Sequence, residues 1–300
     1  MYAIIDIGSN TIRLKVYKYN NNQLEAIVDK KEFAKLINYR KDGNMSEEGI
    51  LICIDVLNKM LNIIKLLRIK KYYAIATAPF RGIKNSEDVL KKIKEATMLD
   101  VSILKGEDEA YYSYLGAKSS TLINEGALID IGGGSTELVF FKDSKELNKT
   151  SIPCGSLNMQ GEFYKDLEGF AFETKWIRKN VIEHLKEKNI EPNQKNDLVM
   201  VGVGGTIRAL LKLKRNETGS NDITISYDDI KRWYQILKHN PIKWLKEILL
   251  IVPERVYTMT TGLIILKTVM KYIGANSIIV SEYGVREGYL THILENKEQE

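Results

Sequence analysis

The chain has 300 residues, 44% of them hydrophobic and 28% charged, with a net charge of +5 at pH 7. That is the make-up of a folded protein of one large or two ordinary domains, and it excludes disordered and fibrous classes. Two cysteines, Cys53 and Cys154, exclude a disulfide framework and a Cys-rich zinc site.

No apolar run approaches the roughly 18 residues of a membrane helix. The opening Met-Tyr-Ala-Ile-Ile-Asp reads as a strand and not as a signal peptide, so a cytoplasmic setting is expected. The mild positive charge suits an anionic ligand and equally suits plain solubility.

Tyr2–Ile7 and Ile12–Tyr19 read as strands, and Asn20-Asn21-Asn22 as a turn. Ser46 is placed to cap a helix running to about Arg68, with Ile50, Ile54, Leu57, Leu61 and Ile64 at helical spacing. Tyr72–Ala78 is strand-like, Ser86 is placed to cap a helix through Met98, Val101–Leu104 is a strand, and Glu107–Ala117 a helix. The pattern then restarts with strands at Ala127–Ile131 and Glu137–Phe141. Helices are expected near Leu157–Lys165 and Phe172–Lys188. The strand Leu198–Val203 runs through a Gly-rich turn into a helix from Thr206. Helices follow at Tyr227–His239 and Glu254–Tyr272, then a strand at Ser277–Val280 and a helix from Val285. The charged tail from Glu295 should fray. This alternation argues for an α/β fold.

The restart is an internal duplication. Ile5-Asp6-Ile7-Gly8-Ser9-Asn10-Thr11-Ile12-Arg13-Leu14 aligns without gaps on Ile129-Asp130-Ile131-Gly132-Gly133-Gly134-Ser135-Thr136-Glu137-Leu138, with half the positions identical. Each copy reads as strand, Gly-containing turn, strand. Two similar domains facing each other across a cleft would bring the turns together. The polar stretch Ser119–Asn124 marks the expected boundary, giving domains 1–121 and 122–300.

Asp6 and Asp130 each end a strand, where α/β sheets usually bind ligands. Two carboxylates repel a phosphate unless a divalent cation lies between. Mg²⁺ uses one or two carboxylates together with waters and phosphate oxygens. Gly8, Ser9, Asn10 and Thr11, and again Gly132, Gly133, Gly134 and Ser135, offer amide and hydroxyl donors that can approach a phosphate closely. The third turn, Gly202-Val203-Gly204-Gly205-Thr206, opens a helix whose first amides suit an anion. No Gly-Lys-Ser/Thr follows, so it is not a Walker A loop.

Glu107-Asp108-Glu109 sits at a helix start, where acids are favoured by the dipole alone but where a general base for water attack would also fit. Glu137, on the strand after the second turn, could orient that water, bind the metal, or be a surface acid. Arg13, Arg81, Arg208 and Arg286 are candidates for the phosphate oxygens, with surface ion pairing as the bland alternative. The fork geometry of arginine favours Arg81, which directly follows a strand. His184, His239 and His292 lack metal spacing. Trp176, Trp233 and Trp244 read as helix packing, and Cys154 has no visible partner base.

Taken in order, several segments resemble the exopolyphosphatase/guanosine pentaphosphate phosphohydrolase (Ppx/GppA) family. They are Asp6–Thr11, Thr77 with Arg81 and Asn85, Gly106–Ala110, Asp130–Glu137, Gly202–Arg208 and Ser281–Gly288. The resemblance implies two ribonuclease-H-like domains of the actin, sugar kinase and chaperone ATPase superfamily flanking a cleft. It implies Mg²⁺-dependent release of orthophosphate from inorganic polyphosphate or from guanosine pentaphosphate. The family's catalytic glutamate falls on Glu109, its second acidic position on Glu137 and its metal-proximal aspartate on Asp130. With Asp6, these give a metal set of Asp6, Asp130 and Glu137.

The resemblance implies no nucleic-acid or membrane partner, and family members often form homodimers. The last helix tends to return to the first domain. Two departures stand out: longer members carry extra C-terminal helical domains, whereas this sequence is expected to stop after the second actin-like domain, and Asn158 stands where the family often has arginine. The alternatives are a guanosine pentaphosphate hydrolase using the same site, a polyphosphate or alarmone sensor without turnover, and a kinase of the same fold.

Overall fold

A computed structural model describes residues 1–20, 23–121, 123–160, 170–193, 195 and 197–297. The chain divides into two compact units, Met1–Glu109 and Ala110–Glu300. The division falls within a helix, about ten residues before the polar stretch that begins at Ser119.

The first unit begins with a three-stranded antiparallel meander, β1 (Tyr2–Ile7), β2 (Ile12–Asn20) and β3 (Gln23–Glu32). A small ribbon of β4 (Arg40–Lys41) and β5 (Asn44–Met45) leads into α1 (Glu47–Leu66). Then come β6 (Lys71–Ala76), α2 (Ser86–Thr97), β7 (Val101–Ile103) and α3 (Gly106–Lys118), whose last residues belong to the second unit. The sheet order is β3-β2-β1-β6-β7, with β6 and β7 parallel to β1. Ser46 caps α1 by accepting the Gly49 amide, and Ile50, Cys53, Leu57, Met60 and Ile64 form its buried stripe. Ser86, in contrast, does not cap α2. Asn85 takes the cap position, but its side-chain amide is bonded to the N–H and C=O of Met45 at 2.9 Å each. It thus pins the β4–β5 ribbon.

The second unit repeats the plan. β8 (Gly126–Ile131), β9 (Thr136–Lys142) and β10 (Lys145–Ile152) form the meander, followed by α4 (Phe170–Glu187), β11 (Leu198–Val203) and α5 (Gly204–Thr218). β12 (Thr224–Ser226), α6 (Tyr227–His239), α7 (Pro241–Ile251), α8 (Val256–Ile273), β13 (Ala275–Val280) and α9 (Val285–Lys297) complete it. The order β10-β9-β8-β11-β13 matches that of the first sheet, with β12 added antiparallel at the edge. A meander followed by two parallel strands in this order is the ribonuclease-H-like plan, present in both units.

α8 is buried on nearly every side, as a helix apolar all round must be. Trp233 and Trp244 are fully packed against this core, with the Trp244 Nε1 donating to Thr260 Oγ1 at 3.0 Å. Trp176 departs from the expected packing: it is 42% exposed. α9 lies against the 110–118 stretch of α3, so closely that a Cβ on Gly288 would collide with the Tyr112 carbonyl. Of the helix expected at Leu157–Lys165, residues 157–159 form a turn and residues 161–165 lie outside the described residues. The helix expected at Glu254 starts with a 3-10 turn, Pro253–Arg255, before α8.

Candidate active site

In the first unit, β1 delivers Asp6 opposite Arg13 of β2. The turn between them is closed by the Gly8 N–H donating to the Thr11 carbonyl at 3.0 Å. The carbonyls of Ser9 and Asn10 accept from the amides of Ile37 (3.1 Å) and Lys35 (2.9 Å). Ser9 is buried, and its hydroxyl has no hydrogen-bond partner among the described residues. Burial of an unmatched hydroxyl is costly, so such groups usually mark a site completed by something else.

Arg13 is not held at the turn. Its guanidinium forks onto Asp29 of β3, a strand that sequence reading did not supply. Arg81 lies in the loop after β6. Its Nη1 donates to Glu109 Oε2 at 2.8 Å and to the Leu104 carbonyl at 3.4 Å. Glu109 sits in the first turn of α3, is 8% exposed, and so is both buried and oriented by Arg81. Arg40, which sequence reading missed, donates to the Ala78 carbonyl at 3.1 Å. Burial first, and then the Arg81 guanidinium, hold its pKa below the usual arginine value.

The second unit reproduces the turn. The Gly132 N–H donates to the Ser135 carbonyl at 2.9 Å, and the carbonyls of Gly132 and Gly133 accept from Ser156 (2.9 Å) and Leu157 (2.8 Å). Gly155 lies flat on the peptide joining Gly133 and Gly134, where a Cβ would meet backbone. Asn158 holds this arrangement. Its Oδ1 accepts the Gly155 N–H at 2.7 Å, and its Nδ2 donates to the carbonyls of Gly134 and Pro153 at 2.9 Å each. Where the family often places arginine, this chain has a clamp on its own turn.

Asp130 ends β8 opposite Glu137 of β9, and Glu137 is opposite Ser151 of β10. Directly opposed residues share a sheet face, so the three form one row. Glu137 is 0% exposed, with Oε1 accepting from Ser151 Oγ at 2.8 Å. Asp130 Oδ2 accepts from Ser113 Oγ at 3.2 Å.

Gly204 opens α5 at φ +84, and a Cβ there would collide with Asp130 Oδ1. The Arg255 guanidinium lies on the Cα face of Gly205. Thr206 Oγ1 donates to the Ile131 carbonyl at 3.2 Å, tying α5 to the end of β8. Arg208 reaches the Ser281 carbonyl at 3.4 Å. Arg286 is buried beside Glu287, which accepts the Gly284 N–H at 2.9 Å.

The second unit therefore gathers Asp130, Glu137, the Gly132–Ser135 turn and the α5 N-terminus through shared bonds and close contacts. Among the described residues, no three His, Cys, Asp or Glu side chains group as a metal ligand set. The histidines are engaged elsewhere: His184 with Glu187, His239 with Gln235 and His292 with Asn296. Burial pushes the thiols of Cys53 and Cys154 up to about 12, with Glu187 adding to the rise at Cys154. Neither is a ready nucleophile.

Ser113, Ser151 and Arg255 were missed at the sequence level. Ser113 carried a signal, since it lies four residues after Glu109 and so on the same helix face. Arg255 carried none.

These features define an α/β protein built on two ribonuclease-H-like units, with glycine-rich turns at the strand ends and buried carboxylates. The model of the Ppx/GppA phosphatase family matches residues 15–297, and the chain belongs to that family. The Ppx/GppA family member of Aquifex aeolicus superposes with a TM-score of 0.81 at 27% identity, over 99% of this chain and 98% of that one. A Cytophaga hutchinsonii structure described as an exopolyphosphatase gives 0.83 at 21% identity, over 98% of each chain, and supports the fold alone.

A bifunctional 3-dehydroquinate synthase/phosphatase of Fusobacterium nucleatum is 28% identical over 98% of this chain and 47% of its own length. A guanosine-5'-triphosphate,3'-diphosphate pyrophosphatase of Photobacterium profundum is 25% identical over 98% of this chain and 59% of its own length. The chain thus spans about half to three-fifths of these relatives. Among the described residues, no helix is long and apolar enough to cross a membrane.

Proposed function

We propose that this chain is an exopolyphosphatase, hydrolysing the terminal phosphoanhydride bond of inorganic polyphosphate and releasing orthophosphate. The observation that carries the reading is the α5 N-terminus: Gly204 seated under Asp130 and Gly205 under the Arg255 guanidinium. Helix amides, a cation and a carboxylate able to share a metal converge there, which is the donor set a phosphate chain with a divalent ion requires. Within the second unit Gly132, Gly133, Gly134, Ser135 and Thr206 supply further donors, and the first unit carries a like set in Gly8, Ser9, Asn10 and Thr11.

Glu109 acts as general base, held in orientation by Arg81, which also offers positive charge to phosphate oxygens. Glu137 orients the water. Asp130 and Glu137 are hard oxygen donors on neighbouring strands, and they fit Mg²⁺, which takes one or two carboxylates and leaves the remaining positions to water and phosphate. Asp6 is the corresponding donor of the first unit. When bound, the metal would neutralise charge developing on the transferred phosphoryl group. A second substrate, guanosine pentaphosphate, is favoured by the activity named for the Photobacterium relative.

The test is phosphate release from long-chain polyphosphate, guanosine pentaphosphate and ATP, with and without Mg²⁺, for the natural chain and Glu109→Ala. Mg²⁺-dependent release from polyphosphate that falls by about 10²–10⁴ in the variant is the expected result. Release only from the pentaphosphate would reassign the substrate. Binding of either without any release would leave a sensor.

A further inference from the structure

A cation-lined cavity lies on the second unit between α4 and α8. Its volume is about 450 Å³, and none of its lining residues belongs to the turns or carboxylates described above. Lys267 and Lys271 are one helical turn apart on α8, and Arg178 faces them from α4. Asn193 and Tyr272 complete the polar wall, and Ile182 part of the apolar one.

Like charges four residues apart weaken a helix by some tenths of a kcal/mol, so this cluster is not there for stability. Elsewhere in the unit, cations are matched: Lys214 with Asp229, Arg232 with Glu217, Lys149 with Glu146. Among the described residues, no carboxylate pairs with Arg178, Lys267 or Lys271. Lys231 lies near enough to act on Lys267 but is itself paired with Asp228 at 2.6 Å. Glu191, an acid felt by Tyr272, is exposed and pairs with none of the three.

Lys267 is only partly exposed, with its ammonium 4.2 Å from the centre of the Tyr234 ring. Burial, then Arg178, Lys271 and Lys231, all disfavour its charge. The wall is fixed: the Tyr272 hydroxyl donates to the Ile190 carbonyl at 3.0 Å, and the Asn193 amide donates to the Tyr272 carbonyl at 2.9 Å. Asn193 Oδ1 is occupied by the Lys195 N–H, and among the described residues its Nδ2 donors have no hydrogen-bond partner.

A void of this size is of small-molecule scale and exceeds what a monovalent ion needs. Three cations that pair with no carboxylate among the described residues call for a polyvalent anion, and a guanidinium fork beside two ammoniums suits phosphoryl oxygens. We propose that this cavity binds a polyvalent phosphate, a run of phosphoryl groups carrying three or more negative charges, at a site separate from the hydrolytic residues.

The experiment labels the lysines of the full chain with an amine-reactive ester and reads Lys267 and Lys271 by mass spectrometry, with tripolyphosphate as probe and ionic strength held constant. Labelling at both lysines is expected to fall as tripolyphosphate is added. The fall should be equal in Glu109→Gln, where the probe is not consumed, so the outcome is independent of whether the chain is a hydrolase. In Arg178→Ala, the tripolyphosphate concentration for half protection should rise about tenfold, the loss of one charge-assisted contact. Lys267 labelling that is unchanged by tripolyphosphate in the natural chain would overturn the proposal. Equal protection by a tetra-aspartate peptide would overturn the phosphate assignment in favour of an acidic protein segment.

Discussion

The two copies of the strand–turn–strand motif share a backbone and differ in charge. Gly8 to Thr11 and Gly132 to Ser135 close with the same hydrogen bond, at 3.0 and 2.9 Å. Opposite the aspartate shared by the two copies, the first has Arg13 and the second has Glu137. Asp6 therefore faces a cation, itself neutralised by Asp29, whereas Asp130 faces a second acid that is wholly buried. Like charges directly opposed across strands are destabilising. In the second copy Ser151 donates to Glu137 and Ser113 to Asp130, and a bound cation would offset the like charges further. The same topology thus makes one row with an aspartate opposite an arginine and one with an aspartate opposite a buried glutamate.

The largest effect that would sharpen this contrast is Glu137→Gln. Removing the buried charge is expected to raise thermal stability slightly while phosphate release drops by about 10²–10⁴. Stability and activity falling together would instead make Glu137 a structural group. Next is Gly155→Ala, whose Cβ would enter the peptide joining Gly133 and Gly134. Because the obstacle is backbone, we expect about 2–3 kcal/mol of destabilisation by urea unfolding, with phosphate release lost alongside.

The matched pair Gly8→Ala and Gly132→Ala tests the equivalence of the turns. Each new Cβ would sit 3.1 and 3.2 Å from the carbonyls of Thr11 and Ser135, so each should cost about 1 kcal/mol or less. Widely unequal costs would break the parallel.

The smallest effect concerns acid and is peculiar to the second unit's edge at α6. Burial raises the pKa of Asp229, but hydrogen bonds from Ser226, Lys214 and Arg232 outweigh it and bring it to about 2 from 3.8. A depressed carboxylate stabilises the fold above its unfolded pKa and loses that contribution as pH falls toward the folded one. Asp229 should contribute about 1–2 kcal/mol above pH 4, declining toward pH 2. Acid titration of unfolding in Asp229→Asn should show that component missing.

The duplication and its turns were legible because glycine and short polar residues at strand ends have few other uses. Helices such as Tyr227–His239 were legible because their apolar stripes follow the helical period. The third strand of each meander was not. Gln23–Glu32 and Lys145–Ile152 are charge-rich sheet-edge strands, and each carries a register irregularity that spoils alternation. That gap hid Asp29 and Ser151, and with them the state of Arg13 and Glu137. Asn158 was legible only as a departure from arginine; its three hydrogen bonds depend on where the Gly133–Gly134 peptide lies.

By itself, the sequence determined the α/β class, the repeat and the candidate acids Glu109, Asp130 and Glu137, because strand ends, turn glycines and helix periods are local properties of the chain. Only the tertiary structure decided which side chains those acids meet. Arg81 reaches Glu109 across 28 residues, and the contact of Arg255 with Gly205 spans about fifty. Arg178 faces Lys267 across some ninety, from a different helix. Such partnerships are fixed by the packing of whole elements, which no local pattern encodes.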